Sequence, residues 1–480
     1  MHYSSSAAEL AETLRREFSG LAPGSRLPSN RQLVRRHHAS ASTVSAAIAE
    51  LVATGEVETR PGTGSFTACT PALPPPRRDT SWQEASLALS ASLGPGLGAT
   101  RRFHAPGLTG TLATFAPGVI DLNSGYLHPD LQPLATLKSA LVRTAKNPEA
   151  WARPPLDGLG PLRSWFAREI GGDLSQEDVL VCAGGQAALA TILRALTQPG
   201  DPIVVEQPTY PGITAAAHVA GLRPIGVPLD GEGFQPDALH EALGRTRARV
   251  VVVQPLAQNP TGVTTSTERR TRLLEIARDH GAFVVEDDFA HYLAHADAPP
   301  APEPMVRTDP DGVVIHIRSL TKATSPNVRI AAVAARGPVI ERLRHAFAIE
   351  TMLVPAALQL TALETLTSRA WPKEQRILGE ALTHRRTLAA HAVTAFLGVD
   401  SLTAAPRHGY HLWLRLPPTT NAATFTQGAL SLGVALTPGT NYTSDESGAR
   451  FVRLSYVATP SAQEVTAGIE KLRPLLATNS

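Results

Sequence analysis

The hydrophobic positions at the start of the chain follow a helical period before they change to a strand period. Apolar residues recur on one face over residues 7–18 and again over residues 44–51, which predicts two amphipathic helices. Between them, Ser29 and Gln32 have the spacing of a capping box and predict another helix, while Ser40 can cap the helix that follows. Three helices are therefore expected in the first part of the chain.

Two short runs after these helices have the pattern of a hairpin. Residues 57–60 and 65–67 are joined through a Pro-Gly-Thr-Gly turn, which predicts two paired strands. Three helices and such a hairpin form a winged helix-turn-helix, which we assign to residues 1–70. Residues 71–117 are rich in proline, glycine and arginine, and are expected to form a linker with one short helix near residues 82–90.

The pattern changes again beyond residue 118, where short apolar runs rich in β-branched residues alternate with helical patterns. The predicted strands are residues 179–181, 203–205, 250–253, 283–285, 313–317 and 330–335. Apolar runs bounded by helices are typical of a largely parallel sheet that is buried on both faces. We therefore expect an α/β domain over residues 118–480, with ligands beyond the carboxyl ends of its strands.

Charge changes this picture locally rather than over the whole chain. The 44 Lys and Arg residues nearly balance the 42 Asp and Glu residues, so the net charge of +2 neither favours nor excludes nucleic acid. Residues 19–49, by contrast, contain four arginines, two adjacent histidines and no acid, which indicates a phosphate-facing surface. The two cysteines are too few for a disulfide framework, and we find neither a leader nor a membrane-spanning segment. We therefore expect a cytoplasmic protein with no membrane partner.

Three short motifs of the N-terminal unit carry a resemblance to a known family. They are Leu-Pro-Ser-x-Arg at residues 27–31, Ser-x-x-Thr-Val at residues 40–44 and Arg-Pro-Gly-x-Gly-x-Phe at residues 60–66. In these motifs the unit resembles the GntR-type winged helix. The resemblance implies a double-stranded DNA operator as partner, contacted by Arg31, Ser42, Thr43, Gly62 and Thr63. Ala41 stands where the family often has Arg, so the operator is expected to be atypical.

Polar and small residues follow several of the predicted strands in the larger domain. Lys322 can supply an amine to an aldehyde, and Asp287 can keep a pyridine nitrogen protonated. Asn259 can donate to a phenolic oxygen, and Arg329 can bind a phosphate in bidentate fashion. Further phosphate donors and a stacking ring are offered by Gly185, Gln186, Ser319, Thr321 and Tyr210. These are the groups that pyridoxal phosphate requires.

The order of these motifs over residues 119–472 resembles that of a fold-type I aminotransferase. The motifs are Asn-Pro-Thr-Gly, Glu-Asp-Asp and Ser-x-Thr-Lys, with Arg329 following. By this resemblance Arg453 binds the α-carboxylate of an amino compound, although an arginine at a strand edge can also pair with a nearby acid. A GntR-type winged helix, a linker and this fold in one chain resemble the MocR subfamily of transcriptional regulators, which implies a head-to-tail homodimer.

Two positions depart from the aminotransferase pattern. Phe289 stands where the family usually has a Tyr whose hydroxyl bonds the phenolic oxygen of the cofactor. Arg153 stands where the family has a Tyr that reaches the phosphate of the partner subunit. We therefore expect cofactor binding without efficient transamination, unless Tyr292 takes over the missing hydroxyl.

Three polar residues beside and beyond Asp287 invite comparison with a metal site. Asp288, His291 and His295 lack a defined ligand spacing, so no metal is expected. We interpret them instead as the polar face of one helix.

Taken together, these patterns predict a pyridoxal phosphate-dependent, DNA-binding transcriptional regulator. Its aminotransferase-like domain is expected to sense an amino compound or pyridoxal phosphate itself through a Schiff base at Lys322. One alternative is an active aminotransferase with a fused regulatory domain. Another is a DNA-binding regulator whose larger domain is a cofactor-free dimerisation scaffold. The effector, the operator sequence and the sign of regulation stay open.

Overall fold

The computed structural model describes residues 4–60, 62–68, 101–103, 105–402 and 405–477. The chain divides into two compact units, Met1–Gly94 and Pro95–Ser480. The short helix predicted near residues 82–90 and most of the predicted linker lie outside the described residues.

The smaller unit has the predicted three helices and hairpin. Its elements are α1 (Ser4–Phe18), α2 (Asn30–His37), α3 (Ala41–Ala53), β1 (Val57–Arg60) and β2 (Gly64–Thr67). The two strands pair antiparallel, with Val57 opposite Thr67. The core consists mainly of residues that the helical period selects, among them Leu14, Val44 and Leu51. The winged helix-turn-helix prediction is confirmed.

The described end of the predicted linker is structured and belongs to the larger unit. Residues Pro106–Thr111 form a short helix, α4, which contacts the helix Pro211–Ala220. The backbone N–H of Arg102 also donates to the carbonyl of His218 in that helix at 3.0 Å. This part of the chain therefore packs on the α/β fold.

After a short strand, β3 (Ile120–Asp121), the larger unit is built on an eight-stranded sheet. Its strands are β4 (Val179–Cys182), β5 (Pro202–Gln207), β6 (Arg223–Asp230), β7 (Gly233–Phe234), β8 (Val250–Val253), β9 (Phe283–Asp288), β10 (Val314–Ser319) and β11 (Ala331–Ala335). They lie side by side in the order β4-β11-β10-β9-β8-β5-β6-β7. The pairs from β10 through β6 are parallel, whereas β11 and β7 run antiparallel to their neighbours. The prediction of a largely parallel sheet is confirmed.

Helices cover both faces of this sheet, as its apolar strands require. They are α6 (Gly160–Ile170), α7 (Gly185–Leu196), α8 (Pro211–Ala220), α9 (Pro236–Thr246), α10 (Thr267–Asp279) and α11 (Pro338–Thr351). The helix before them, α5 (Leu134–Ala145), packs instead on the helix Ala356–Leu366. Along β8, Val250 and Val252 face one hydrophobic cluster while Val251 and Val253 face the other. The core therefore lies on both sides of the strands, and their carboxyl ends stay open for a ligand.

A smaller α/β part completes the larger unit. Its elements are α12 (Ala356–Leu366), α13 (Trp371–Leu397), β12 (His411–Arg415), α14 (Ala422–Ser431), β13 (Val434–Ala435), β14 (Thr437–Pro438), β15 (Phe451–Ser455), α15 (Ala462–Lys471) and α16 (Pro474–Ala477). Strands β12, β15 and β14 form an antiparallel sheet, and β13 pairs with β3. Across the described ranges, no helix is long and apolar enough to cross a membrane.

Candidate functional site

The residues predicted to bind a cofactor meet in one pocket at the carboxyl edge of the large sheet. The pocket lies beyond the ends of β8, β9 and β10, where α7 begins. All the predicted site residues of the larger unit line it: Gly185, Gln186, Tyr210, Asn259, Asp287, Ser319, Thr321, Lys322, Arg329 and Arg453. Parallel strands bring their carboxyl ends to one edge, which explains how residues so distant in sequence converge.

Lys322 follows β10, and its amine lies inside the pocket. The Nζ atom donates to the carbonyl oxygen of Gly125 at 3.0 Å and lies 3.8 Å from the centre of the Tyr126 ring. Burial lowers the pKa of this amine to about 7, and the nearby Arg453 cation acts in the same direction. A large neutral fraction therefore exists near neutral pH, as nucleophilic attack on an aldehyde requires.

Asp287 lies near the end of β9 and is held by a network of amides. Its Oδ2 accepts from Gln254 Nε2 at 2.8 Å, and Gln254 Oε1 accepts the backbone N–H of Asn259 at 3.2 Å. Burial raises the pKa of Asp287 to about 6, opposed by the Gln254 hydrogen bond. The pocket thus holds a carboxylate whose charge lacks a cationic hydrogen-bond partner and would be stabilised by a protonated ring nitrogen.

In the cofactor-free chain, Asp287→Asn is expected to raise the free energy of unfolding near neutral pH. The folded pKa of about 6 lies above the ordinary value of 3.8. The stability contributed by the protonated carboxyl is therefore complete below the ordinary value and is lost as the pH rises through the folded pKa. Asparagine cannot ionise, so we expect a gain of roughly 1–3 kcal/mol at about pH 7.5 that shrinks toward about pH 4.5. Urea unfolding at the two pH values measures this, and an equal or negative change at the higher pH contradicts it.

The predicted phosphate end of the pocket combines a helix N-terminus with an arginine. Gly185 is the first residue of α7, and Arg329 Nη2 donates to the carbonyl of Ala183 at 3.1 Å. A Cβ atom on Gly184 would lie 2.6 Å from Arg329 Nη2, and Gly184 has a φ of +88°. Glycine is therefore needed for the guanidinium to lie against this turn. The hydroxyl of Thr321 is buried there without a hydrogen-bond partner.

Tyr210 and Gln186 pack against Gly212 at the start of α8. A Cβ atom on Gly212 would come within 2.2 Å of both the Tyr210 ring and Gln186 Oε1. Gln186 Nε2 donates to the Gly212 carbonyl at 2.9 Å. The side-chain N–H group of Gln186 is thus bonded to the start of α8, and its backbone N–H is the donor that remains for the predicted phosphate contact.

Arg453 lies on β15 and is only 2% exposed. Its guanidinium donates to the carbonyl of Asn123 and, at 3.3 Å, to Thr437 Oγ1, and it lies 5.4 Å from the centre of the Tyr442 ring. Its Nε has no hydrogen-bond partner, and no acid pairs with Arg453 within the described part of the chain. The alternative of a strand-edge ion pair is therefore not found. A buried cation without an acid is suited to bind a carboxylate.

Several residues of the pocket were not predicted from the sequence. They are Thr111, Leu112, Gly125, Tyr126, Leu189, Gln254, Tyr410 and His411. Tyr410 Oη donates to the Gly125 carbonyl at 2.6 Å. Burial holds the pKa of His411 well below its usual value, so its ring lines the pocket in the neutral form. Most of them come from α4, the segment after β3 and the start of β12, none of which carries a motif.

The departures from the aminotransferase pattern are visible in the pocket. Phe289 is among the lining residues and brings no hydroxyl. Tyr292 is not among them, because its ring packs 5.9 Å from the Trp371 ring and 5.7 Å from the guanidinium carbon of Arg318. It therefore does not replace the missing hydroxyl. Arg153 is exposed and does not line this pocket.

The interpretation of Asp288, His291 and His295 as one helix face is wrong. Strand β9 ends at Asp288 and a turn follows, so these side chains have no common face. Asp288 Oδ2 lies 3.0 Å from Arg318 Nε, His291 lies 3.4 Å from Glu169, and His295 Nε2 lies 2.9 Å from a backbone carbonyl. Within the described ranges, no group of three or more His, Cys, Asp or Glu side chains is arranged to hold a metal ion.

The donor set of the pocket fits pyridoxal phosphate. One carboxylate, Asp287, faces three cations, which suits a ligand that carries a phosphate together with a protonated ring nitrogen. The cations are Lys322, Arg329 and Arg453. Asn259 Oδ1 and Thr321 Oγ1 are buried without hydrogen-bond partners. Because such orphaned atoms are costly, a polar ligand that satisfies them is expected to stabilise the pocket.

In the smaller unit, the start of α3 is organised by its capping serine. Ser40 Oγ accepts the backbone N–H of Thr43 at 3.1 Å and lies 2.8 Å from Ser42 Oγ. Ser42 and Arg31 are exposed, whereas Arg36 pairs with Glu17 of α1 at 2.6 Å. Glu17, which precedes the acid-free residues 19–49, therefore neutralises the charge of Arg36. Arg31 remains the predicted DNA contact on α2.

The wing also presents its predicted contacts outward. Gly62 and Thr63 are exposed at the turn between β1 and β2, and Gly62 has a φ of +74°, which glycine adopts without strain. The Arg60 guanidinium lies 4.7 Å from the centre of the Phe66 ring, which joins the two strands across the hairpin. The wing therefore has the geometry expected of a DNA-contacting hairpin.

Two family models match the chain. Residues 117–472 match the family "Aminotransferase class I and II", and residues 6–67 match "Bacterial regulatory proteins, gntR family". An uncharacterised HTH-type transcriptional regulator of Bacillus subtilis, YdfD, is 28% identical over 94% of this chain and 91% of its own length. The 2-aminoadipate transaminase of Thermus thermophilus is 30% identical over 75% of this chain and 90% of its own.

A solved structure extends the likeness to three dimensions. The α-aminoadipate aminotransferase LysN of Thermus thermophilus, complexed with N-(5'-phosphopyridoxyl)-L-leucine, superposes with a TM-score of 0.74 at 27% identity. The match covers 83% of this chain and 98% of that structure. The likeness supports the fold of the larger unit.

Proposed function

Because the chain belongs to the class I and II aminotransferase family and carries a gntR-family regulatory domain, as MocR-type regulators do, we propose that it is a DNA-binding transcriptional regulator whose pocket senses an amino compound. The smaller unit binds operator DNA, and the pocket of the larger unit holds pyridoxal phosphate. Because a bacterial operator lies in the cytoplasm, the protein acts there.

Different residues of the pocket bind different parts of this cofactor. When bound, pyridoxal phosphate supplies an aldehyde that bonds an amine and a ring that draws electrons from the bonded compound. Asp287 stabilises the protonated ring nitrogen, Asn259 meets the phenolic oxygen and Tyr210 stacks on the ring. Arg329 binds the phosphate together with the donors Gly185, Gln186, Ser319 and Thr321.

The pairing of Lys322 with Arg453 is the observation that carries the sensing role. Both groups line one pocket: the Arg453 guanidinium is buried, the Lys322 side chain is half-buried, and the Arg453 cation lowers the pKa of the Lys322 amine. An amino acid brings an amine and a carboxylate, which match these two groups. Lys322 also has a defined resting place against Gly125 and Tyr126 when it is free. Lys322 can therefore be either free in this resting place or bonded to the cofactor. An effector that favours one of these two states shifts the equilibrium between them.

The test is the affinity of the whole protein for DNA. The full-length chain, loaded with pyridoxal phosphate, first selects a duplex from a random-sequence pool. Its affinity for that duplex is then measured with each protein amino acid and with 2-aminoadipate, which is the substrate named for one relative. We expect at least one compound to change the affinity, roughly 5- to 150-fold. Affinities that stay equal contradict the sensing role, and a chain that takes up no cofactor favours a scaffold instead.

A working aminotransferase is the second candidate, and the likeness to named transaminases favours it. Phe289 argues against an aminotransferase, because it offers no hydroxyl to hydrogen-bond the phenolic oxygen of the cofactor. A multiple-turnover assay with an amino acid and an oxo-acid distinguishes an aminotransferase from a sensor. Steady turnover supports the enzyme, whereas a single exchange of amine supports the sensor.

A homodimer in head-to-tail arrangement is part of the proposal. Large apolar side chains are exposed at Trp151 (76%), in a segment that packs against α12, and at Met352 (70%), at the end of α11. Their burial by a second copy would gain free energy. Light scattering of the full chain tests this, and a monomer mass contradicts it.

Arg31→Ala is expected to weaken DNA binding and to make it less sensitive to salt. Removing one phosphate or base contact costs about 1–3 kcal/mol, and the slope of affinity against salt falls by about 1 if a phosphate contact is lost. Arg36→Ala is the matched control, because Arg36 is already paired with Glu17. Fluorescence anisotropy over a salt series measures both variants. Equal losses for the two arginines, or none for Arg31, contradict the assignment.

A further inference from the structure

Two side chains from different sheets converge on one carbonyl oxygen in the pocket. The Gly125 carbonyl accepts from Lys322 Nζ at 3.0 Å and from Tyr410 Oη at 2.6 Å. Lys322 follows β10 of the large sheet, whereas Tyr410 immediately precedes β12 of the small sheet. The amine and the hydroxyl therefore share one acceptor.

Tyr410 is fixed in this position by its surroundings. It is 1% exposed, and its ring meets the Phe289 ring edge to face with centroids 6.4 Å apart. The His411 ring also meets the Tyr410 ring edge to face, with centroids 4.5 Å apart. The Tyr410 ring thus lies beside Phe289, which directly follows β9 and has no hydroxyl of its own.

We propose that Tyr410 is a positioning residue for Lys322, because the Tyr410 hydroxyl shares the Gly125 carbonyl with the Lys322 amine. The inference rests on the proposed function, since it concerns the lysine that bonds the cofactor. It assigns a role to a residue that the cofactor motifs do not include.

The physical consequence is a change in how well the pocket tolerates a charged Lys322. A carbonyl that already accepts from a neutral hydroxyl has less electron density to offer an ammonium group. When the Tyr410 hydroxyl is removed, the Gly125 carbonyl accepts only from Lys322. This stronger hydrogen bond favours the protonated form of the amine. Several other groups face this amine and stay unchanged in the comparison: Asp287 on β9, Arg329 before β11, Arg453 on β15, Tyr126, Tyr210 and His411.

Tyr410→Phe tests the proposal in two forms of the full-length protein. In the cofactor-free form, the pH dependence of Lys322 acetylation, followed by peptide mass spectrometry, reports the protonation of the amine. In the form loaded with pyridoxal phosphate, the pH midpoint of the visible absorption change reports the same site. We expect both midpoints to rise by about half a unit to one unit, as the loss of one hydrogen bond implies.

Tyr292→Phe is the matched control. Tyr292 is also buried, but its ring packs beside Arg318 and Trp371 rather than in the pocket. Removal of the Tyr292 hydroxyl is expected to leave the pH midpoints of acetylation and of visible absorption unchanged. An equal shift in the two variants contradicts a specific role for Tyr410.

Phe289→Tyr in the wild-type background covers the case in which Tyr410→Phe does not fold. In the cofactor-free form it is expected to leave the acetylation midpoint unchanged, because Tyr410 still shares the Gly125 carbonyl with the amine; a full shift there overturns the inference. A wild-type chain with no visible band overturns the proposed function itself, whereas a normal band with an unmoved midpoint in Tyr410→Phe overturns only the role of Tyr410.

Discussion

Lys322→Ala is expected to abolish the visible absorption that pyridoxal phosphate gives in the wild-type protein. Lys322 is the lysine of the pocket, and its buried amine is held by the Gly125 carbonyl and the Tyr126 ring. Alanine has no amine to bond the aldehyde, so the loss is complete rather than graded. The fold is expected to survive, because the variant removes a buried group whose charged form is disfavoured by its surroundings.

Spectral titration with pyridoxal phosphate measures this effect, alongside circular dichroism to verify the fold. Lys138→Ala is the control, since Lys138 is an exposed lysine on α5. A band of equal strength in a folded Lys322→Ala protein would show that another lysine carries the cofactor. That result would remove the basis of the site.

Arg453→Ala is expected to lower the affinity for amino compounds that carry a carboxylate, with little effect on the matching amines that lack one. The guanidinium is buried and its Nε has no partner, so a carboxylate gains a charge-assisted hydrogen bond there. Loss of that contact costs about 1.5–3 kcal/mol, or roughly 10- to 150-fold in affinity.

The comparison requires paired ligands, each an amino acid and its decarboxylated amine. Arg415→Ala serves as the control variant, because Arg415 lies at the exposed end of β12 in the same small sheet. Titrations followed through the visible spectrum give the affinities. Equal losses for both members of a pair would show that Arg453 acts on the pocket as a whole and not on the carboxylate.

The strands that hold the site were predictable because each is a short apolar run that ends in polar residues. β8 occurs at the predicted residues, and β9 and β10 extend beyond their predicted ends to Asp288 and Ser319, two positions of the motifs themselves. Strand β6 escaped prediction because Pro224, Gly226 and Pro228 interrupt its pattern, as such residues disfavour a strand interior.

The pocket residues contributed by the small sheet had no comparable signal. Tyr410 and Gly125 are far apart in sequence, and only the closed fold brings the hydroxyl to the carbonyl. Gln254 lies five residues before the predicted Asn259, and its side-chain amide is the group that hydrogen-bonds Asp287. The polar segment after β9 is a turn and not the predicted helix. The spacing of its polar residues alone does not distinguish the two.

The coupling of the pocket to DNA binding is tested most directly by titrating the loaded, full-length protein with its effector in the presence and absence of saturating duplex. Binding is followed through the visible spectrum, so the signal comes from the pocket and not from the DNA. Linkage requires that DNA change the effector affinity by the same factor by which the effector changes the DNA affinity. We expect the two titration curves to separate by that factor, roughly 5- to 150-fold. Superimposed curves, with DNA bound throughout, would contradict the proposal that this pocket regulates DNA binding.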